Sequence, residues 1–337
     1  MFFSKTAKAN LALSLAAFFW GTTFIAQRQA MDNLSPLAFS GLRFTLGALC
    51  LLPLALPRAA KIIHQTQDRR ALYKTWLIGG LISGGCIFGG VAFQQYGLLW
   101  TTAGKAGFIT SLYVVLIPLI LRLMGHKILL GEGIGALLAV AGLYLLSFTG
   151  GFLGLSLGDG LVLIGAFVWA GHVLALGWLA PKMDAVMLGV GQALVCGLLG
   201  LLSTLVLGQW PSWEAIWASK VDILWGGILS VSLGFTLQVV GQKNAKPAPA
   251  AIILQMEAVV AVLAGWLYLN EEITERMFVG IVLMLAGMLL SQLWPIMVSS
   301  KRLPEQSAGR VQDGPVPALD QAGGESLAVP AGDADRG

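Results

Sequence analysis

Three ionisable side chains lie deep within the long apolar segments of this sequence: Arg43, His172 and Glu257. A charged side chain at the centre of a bilayer costs at least ~2.5 kcal/mol on insertion scales, so such residues usually face a polar cavity. A guanidinium can bind an anion, a carboxyl group can bind a proton or an amine, and an imidazole can relay protons. The three residues therefore predict a polar site within the membrane.

Glu257 lies near the middle of its apolar segment and has two interpretations. In the functional one, its carboxyl group couples transport to protons or binds a substrate amine. In the other, a neutral glutamic acid hydrogen-bonds to a neighbouring helix and only fixes the packing. The functional interpretation is favoured, because ionisable residues at this depth are by default functional.

Arg43 and His172 are more ambiguous. Arg43 could hold a substrate carboxylate in a bidentate pair, form an ion pair with Glu257, or extend outward to the bilayer surface. These alternatives stay open. For His172, a hydrogen-bonded contact between helices is favoured, and a proton relay is left open.

Neutral polar and aromatic residues extend this candidate site. An offset of 149 residues, set by the match of Trp20 with Trp169, relates Arg43 to Gln192. An offset of 144 residues relates Gln94 to Gln238 and Tyr113 to Glu257. Polar pairs at matching positions are expected of a site that two repeats line together. The candidate residues for substrate binding or coupling are Trp20, Thr23, Arg43, Gln94, Tyr113, Trp169, His172, Gln192, Gln238 and Glu257.

The elements that must position these residues are membrane helices. Hydrophobic residues form 56% of the 337 positions and charged residues only 11%, with a mean hydropathy of +0.78. Lipid offers the backbone no hydrogen-bond partner, so apolar runs of about twenty residues are predicted to be helices. We predict an all-α membrane protein with ten spans, near residues 8–28, 36–57, 73–98, 103–123, 128–149, 158–180, 184–207, 222–242, 248–269 and 277–297.

The ten spans form two related halves. Ala17 to Gly21 opens a span in the first half as Ala166 to Ala170 does in the second. Because each half crosses the membrane an odd number of times, the second is predicted to be inverted relative to the first. The predicted domains are a first five-helix repeat at 8–149, a second at 150–297, and a disordered, dispensable cytoplasmic tail at 298–337.

The basic residues predict the orientation. With the N-terminus inside, the inner side receives 14 of the 21 Lys and Arg residues and the outer side 4. This bias follows the positive-inside rule and predicts a multi-pass protein of the bacterial inner membrane with both termini cytoplasmic. It also explains the net charge of +4 without a nucleic-acid partner. Tryptophans at 210, 213 and 217 predict a short helix in the outer interface; a sugar-stacking role stays open.

Five segments of the two halves form a recognisable set of motifs. They are Phe19-Trp20-Gly21-Thr22-Thr23-Phe24, Leu42-Arg43-Phe44, Thr101-Thr102-Ala103-Gly104-Lys105-Ala106-Gly107-Phe108-Ile109, Ala250-Ala251-Ile252-Ile253-Leu254-Gln255-Met256-Glu257-Ala258 and Gly265-Trp266-Leu267-Tyr268-Leu269-Asn270-Glu271. On these motifs the chain resembles the drug/metabolite transporter superfamily, and specifically its duplicated EamA-type members, over residues 8–295. Ala258 stands where the family usually has proline, and Asn270-Glu271 where it usually has Gly-Glu.

The resemblance implies a secondary carrier, often an exporter of amino acids or related metabolites, with its cavity between the halves. The expected partners are a small-molecule substrate and the lipid bilayer; proton coupling, exchange and a homodimer are left open. A facilitative channel or uniporter for small polar solutes is the alternative. The sequence has no phosphate-binding loop for ATP and no hydrolase motif, so no cofactor and no enzyme activity are expected.

Glycine doublets punctuate the third predicted span, at residues 79–80, 84–85 and 89–90. Small residues in membrane helices usually allow close packing against a neighbouring helix, which is the favoured interpretation here. Hinge flexibility for alternating access is compatible with it.

Overall fold

Helices account for the regular secondary structure of the computed structural model, which describes residues 5–125, 129–147, 156–244 and 253–308; these ranges contain no β-strand. By its contacts the chain forms two units, Met1–Met297 and Val298–Gly337. The helices are α1 Lys5–Ala30, α2 Pro36–Gln65, α3 Arg69–Gly97, α4 Ala103–Ser111, α5 Tyr113–Leu123, α6 Leu130–Ser147, α7 Leu157–Leu179, α8 Ala185–Val206, α9 Trp213–Ala218, α10 Lys220–Leu224, a π-helix Trp225–Phe235, α11 Thr236–Asn244, α12 Met256–Leu269 and α13 Glu275–Ala308.

Seven segments within the described residues are long and apolar enough to cross a membrane: Ala7–Ala30, Pro36–Gln65, Arg69–Gly97, Ala103–Leu123, Leu157–Lys182, Ala185–Val206 and Lys220–Lys243. The shorter apolar helices Gly133–Leu145 and Met256–Leu269 occupy the predicted fifth and ninth spans. Helix α13 covers the predicted tenth. Multiple membrane spans are therefore confirmed, and the count of ten stays a prediction.

Polar side chains set the points at which several helices begin. In each case a side-chain oxygen accepts a hydrogen bond from a backbone N–H of the first turn, which has no partner inside the helix. Pro36 adds a fixed backbone dihedral at the start of α2, where its missing N–H is not needed. The capping residues are Ser35, Asp68, Thr102, Ser156, Asp184 and Ser212.

Helices α2 and α8 pack side by side in opposite directions. A Cβ on Gly41 would lie 2.7 Å from the backbone nitrogen of Leu201, and a Cβ on Gly197 would lie 2.6 Å from Thr45 Oγ1. Further along, Leu51 approaches Gly189. The residue numbers rise on α2 as they fall on α8, so the two helices are antiparallel. Glycines at the contact let the two backbones approach closely.

The remaining helices complete a bundle around these two. Helix α3 packs against α7 and α8, and α1 packs against α12 and against the segments from Lys220 to Asn244. Helix α4 contacts both α7 and α12. Every one of these pairs joins a helix of the first half of the chain to one of the second.

Three predicted spans are less regular than the sequence suggested. The fourth is broken at Leu112 into α4 and α5, and in the ninth a turn at Gln255 precedes α12. The eighth contains the π-helix. The breaks at Leu112 and Gln255 have no proline at the break itself, so neither one follows from the usual helix-breaking residue.

Helix α13 extends to Ala308 and so enters the segment 298–337 that was predicted to be disordered. Residues 298–308 are helical, and the disordered, dispensable tail stays a prediction. Lys301, Arg302 and Leu303 are good helix formers, and extending an existing helix avoids the cost of nucleating a new one. Residues 309–337 lie outside the described residues.

The short helix α9 places two tryptophans on the surface. Trp213 and Trp217 are exposed, and their rings stack with centroids 6.3 Å apart. The predicted helix is present, although it begins at Trp213 rather than before it. Exposed indole rings next to a span suit the headgroup region of a bilayer.

The glycine doublet at 84–85 gives a matched test of helix packing. A Cβ on Gly84 would lie 2.6 Å from Val195 Cβ and 2.8 Å from the carbonyl oxygen of Gln192, whereas one on Gly85 would meet nothing within 4 Å. We expect Gly84→Ala to destabilise the protein by about 1–3 kcal/mol through overpacking. Gly85→Ala should be neutral or stabilising by up to about 1 kcal/mol. Thermal unfolding in detergent measures both; equal melting temperatures would contradict the close contact.

Candidate functional site

One cavity lies at the centre of the bundle and contains about 570 Å³ of space, part of it open to solvent. It is lined by residues of α1, α2, α3, α4, α5, α7, the π-helix, α11 and α12. Nine of the ten residues predicted from the sequence line it: Trp20, Thr23, Arg43, Gln94, Tyr113, Trp169, His172, Gln238 and Glu257. Their functional roles stay predictions.

Glu257 lies where two interrupted helices meet. Ser111 is the last residue of α4, and its hydroxyl donates a hydrogen bond to Glu257 Oε1 at 3.3 Å. Tight turns mark both interruptions: Leu112 N–H donates to Ile109 O, and Ala258 N–H donates to Gln255 O. Interrupted helices at matching places in two halves are typical of transporter binding sites.

Arg43 is buried in the wall of the cavity with only 3% of its surface exposed. It donates one hydrogen bond, from Nη2 to Gln27 Oε1 at 3.3 Å, and its guanidinium lies over the rings of Phe39 and Phe44 at 5.2 and 5.0 Å. Among the residues that the structure describes, its Nε has no hydrogen-bond partner.

Two alternatives for Arg43 can now be set aside. Within the described parts of the chain, the ion pairs are Arg28–Asp32 and Lys105–Asp159, so Arg43 does not pair with Glu257. Its burial also argues against a side chain that extends to the bilayer surface. The guanidinium charge is balanced by no carboxylate within 4 Å among these residues, which suits it to an anionic ligand.

Gln27 connects the polar residues of the cavity, and the sequence analysis missed it. Its Oε1 accepts hydrogen bonds from Arg43 and, at 3.0 Å, from Gln94 Nε2. Gln94 Oε1 in turn accepts from Trp169 Nε1 at 3.1 Å. The helical spacing from Trp20 through Thr23 to Gln27 was the available signal, since residues three, four and seven apart share one face.

Three aromatic residues, Trp20, Trp169 and Phe235, form an aromatic wall of the cavity beside these polar residues. The ring of Phe235 lies 5.0 Å from that of Trp20 and 6.3 Å from that of Trp169, centroid to centroid. Trp20 Nε1 donates to the carbonyl oxygen of Ser230, which lies within the π-helix. Flat apolar rings of this kind can pack against an apolar or planar part of a ligand. Phe235 carried no distinguishing signal in the sequence, because it is one apolar residue among many.

Gln192 is the predicted residue that does not line the cavity. It is fully buried, and its Oε1 lies 3.3 Å from His172 Nε2. This contact joins α7 to α8 and agrees with the favoured interpretation of His172 as a contact between helices. Gln238 Oε1 and Thr110 Oγ1 are buried at the cavity and have no hydrogen-bond partner within the described part of the chain. Such atoms are available to a ligand that donates hydrogen bonds.

The central position of Gln27 predicts a large effect on stability. Replacing it by leucine leaves donors of Arg43 and Gln94 unpaired in a buried site, so we expect Gln27→Leu to cost about 1–3 kcal/mol of folding stability. Gln29, two residues later on α1, is exposed, and Gln29→Leu is the matched control. Thermal unfolding in detergent compares the two. A Gln27→Leu variant that melts like the control would contradict the hydrogen-bonded chain.

Comparison with known proteins identifies a family that matches this chain. The profile described as the EamA-like transporter family matches residues 7–148 and again residues 156–293. An uncharacterized transporter of Archaeoglobus fulgidus is 30% identical over 291 residues, covering 86% of this chain and 87% of the relative. The uncharacterized transporter YoaV of Bacillus subtilis is 24% identical over 295 residues, covering 84% and 96%.

Two further matches are a plant protein and a solved structure. A WAT1-related chloroplastic protein of Arabidopsis thaliana is 24% identical over 288 residues, covering 81% of this chain and 66% of the relative. A protein of known crystal structure superimposes with a TM-score of 0.61 at 20% sequence identity, covering 88% of this chain and 98% of the other. At that identity the likeness concerns the fold alone.

Proposed function

Because the chain belongs to the EamA-like transporter family, and is thus a membrane transporter, we propose that it is a secondary active carrier of a small metabolite. It moves an amino acid or a related compound, outward, by exposing the central cavity to one side of the membrane and then to the other. The observation that carries this proposal is a cavity between the two halves that is lined by the buried Arg43, Gln238 and Glu257. Among the described residues, Arg43 Nε and Gln238 Oε1 have no hydrogen-bond partner.

The packing of α2 on α8 supports two inverted repeats at 8–149 and 150–297. The offset of 149 residues makes these two helices equivalent. Equivalent helices of a repeat that kept its orientation would point the same way across the membrane, but α2 and α8 are antiparallel. Their contacts also exchange under the offset, because Gly41 meets Gly200 and the equivalent positions 190 and 51 lie in one core cluster. This is the pattern of a twofold axis in the membrane plane.

Two further contacts between the halves each have an equivalent contact elsewhere in the bundle. A Cβ on Gly90 would lie 2.9 Å from the ring of Trp169, and one on Gly234 would lie 2.6 Å from Trp20 Nε1. Likewise a Cβ on Gly97 would lie 2.5 Å from Val162 Cγ2, and one on Gly241 would lie 2.5 Å from Leu13 Cγ. The offsets of 144 and 149 residues convert the first contact of each pair into the second. Such equivalence lets one interface open as the other closes, which is the requirement of alternating access.

Arg43 and Glu257 divide the chemistry between them. The uncompensated guanidinium binds the carboxylate of the substrate, and the aromatic wall contacts its apolar part. Glu257 binds either a proton that drives the cycle or the amine of the substrate. Arg43 belongs to the first repeat and Glu257 to the second, so a substrate that bridges them senses the relative movement of the halves.

The setting is the bacterial inner membrane, with both termini in the cytoplasm and basic residues concentrated on that side. The partners are the substrate, the bilayer and the coupling proton; a homodimer is compatible with the carrier but not required by it.

Counterflow in proteoliposomes tests the carrier. A screen of ligand-induced thermal stabilisation across amino acids, amines and nucleosides first identifies a substrate. Vesicles loaded with that substrate should then accumulate labelled substrate transiently. A channel, which is one alternative, shows no counterflow. A uniporter does show counterflow but does not accumulate substrate in response to an imposed pH gradient, so the second measurement separates it from a proton-coupled carrier.

A further inference from the structure

A carboxylate of the second half is bound to the N-terminus of a helix of the first half. Glu271, which follows α12, accepts hydrogen bonds from the backbone N–H of Ala103 at 2.6 Å and of Gly104 at 2.9 Å. These are the first two residues of α4, whose N–H groups have no partner within the helix. The negative charge also complements the positive end of the helix dipole.

The chain shapes a recess for this carboxylate. Asn270 adopts a left-handed backbone conformation with φ of 52°, and Glu271 N–H donates to the carbonyl oxygen of Gly265 at 3.2 Å. Gly104 and Gly265 lie against the carboxylate, and a Cβ at Gly265 would collide with Glu271 Oε2. The space for the carboxylate is therefore tight at Gly265 and close at Gly104, where a Cβ would lie 3.1 Å from Glu271 Oε2.

A second carboxylate holds the same segment. Asp159, at the start of α7, is fully buried and accepts a hydrogen bond from the hydroxyl of Thr101. Its other oxygen lies 3.9 Å from Lys105 Nζ. Two acidic residues of the second half, Asp159 and Glu271, thus fix residues 101–105 of the first half at one end of the bundle.

The position of these contacts indicates a moving part rather than an ordinary helix cap. A cap normally comes from the residue just before the helix, and Thr102 already provides it for Lys105 N–H. Glu271 instead reaches across 168 positions of sequence from the other repeat. It is half-buried, so water can replace it on the N–H groups when the halves separate. Helix α4 then leads directly to Thr110 and Ser111 at the cavity.

We infer that Glu271 is a latch that holds the two repeats together and closes the cavity at the end formed by residues 101–105, and that it must release α4 in every transport cycle. This inference rests on the proposed alternating access. The positive-inside pattern predicts that this end is the outer one.

Accessibility of the cavity tests the latch without measuring transport. A single cysteine replaces Val173, which lines the cavity, in protein whose Cys50, Cys86 and Cys196 are changed to alanine. A membrane-impermeant maleimide is added from each side of oriented vesicles. We expect Glu271→Ala to raise the rate of labelling from the 101–105 side about tenfold, the size of effect typical for losing hydrogen bonds to a charged group. Glu272→Ala, at an exposed neighbour, should leave the rate unchanged.

The other outcomes decide against the latch. Equal labelling of Glu271→Ala and the parent, an equal increase in the Glu272→Ala control, or an increase from the opposite side only would each overturn it. If Glu271→Ala does not fold, Glu271→Gln, which keeps one acceptor oxygen, replaces it, and an unchanged rate in that variant counts as the same refutation. Absence of counterflow in the parent protein would contradict the carrier proposal. The labelling rates are measured separately and would still show whether Glu271 closes the cavity.

Discussion

Glu257→Gln is expected to abolish the response of transport to a pH gradient while the protein remains folded. Glutamine keeps the size of the side chain and an oxygen that can accept the hydrogen bond of Ser111, which lies 3.3 Å from Glu257 Oε1. What it removes is the carboxyl group itself, the one acidic side chain among the described residues that line the cavity. Gradient-driven accumulation should therefore fall to the level seen without a gradient.

The measurement is substrate accumulation in proteoliposomes with and without an imposed pH gradient. Glu272→Gln makes the same chemical change on an exposed side chain and should behave like the parent protein. Glu257→Asp keeps the acid on a shorter side chain and should retain part of the response. Full gradient-driven accumulation in Glu257→Gln would remove this residue from the coupling. If Glu257 binds the substrate amine instead, the variant should lose binding of amines and keep that of the corresponding acids.

Arg43→Gln is expected to weaken binding of a carboxylate substrate by about thirtyfold or more, since losing one partner of a buried charge pair costs about 2–5 kcal/mol. Arg43 has only 3% of its surface exposed, and its guanidinium has no carboxylate within 4 Å among the described residues. A bound carboxylate is thus its natural counter-ion. Arg43→Lys keeps the charge but cannot form a bidentate pair, and should fall between the parent and Arg43→Gln.

Ligand-induced thermal stabilisation compares the carboxylate found in the screen with its uncharged amide. The parent protein should prefer the carboxylate, and Arg43→Gln should lose that preference. Arg28→Gln changes a surface arginine that pairs with Asp32 and should leave the preference intact. An Arg43→Gln variant that still distinguishes the carboxylate from the amide would show that another group binds the charge.

Arg43 and Glu257 show how the two repeats differ at equivalent positions of the cavity. Arg43 corresponds to Gln192 in the other repeat, and Glu257 corresponds to Tyr113. The first repeat therefore contributes a guanidinium and the second a carboxyl group, and each group is absent from the equivalent position of the other repeat. A strictly symmetric pair of repeats would place like charges close together, which is unfavourable in a cavity of low polarity. Under the proposed function, divergence of the repeats allows a guanidinium and a carboxyl group to bind different parts of one ligand.

Much of the site was predictable because the membrane makes polar residues conspicuous. An ionisable group within an apolar span is costly unless it faces a polar space, so Arg43, His172 and Glu257 stood out from their surroundings. The offsets between the repeats then pointed to Gln94, Gln238 and Tyr113, and all of these line the cavity. The same reasoning selected Gln192, which instead contacts His172 behind the wall, because an offset fixes depth in the membrane but not the direction of the side chain.

The sequence alone determined the helical membrane class, the family resemblance and the depth of the ionisable residues, since hydropathy and repetition are properties of the chain in one dimension. Only the tertiary structure decided which faces of the helices meet. It separated Arg43 from Glu257, joined Gln27 to Arg43 and Gln94, and brought Glu271 onto the start of α4. Those contacts depend on close approach between helices far apart in sequence, and glycines that permit such approach look alike until a partner fills the space.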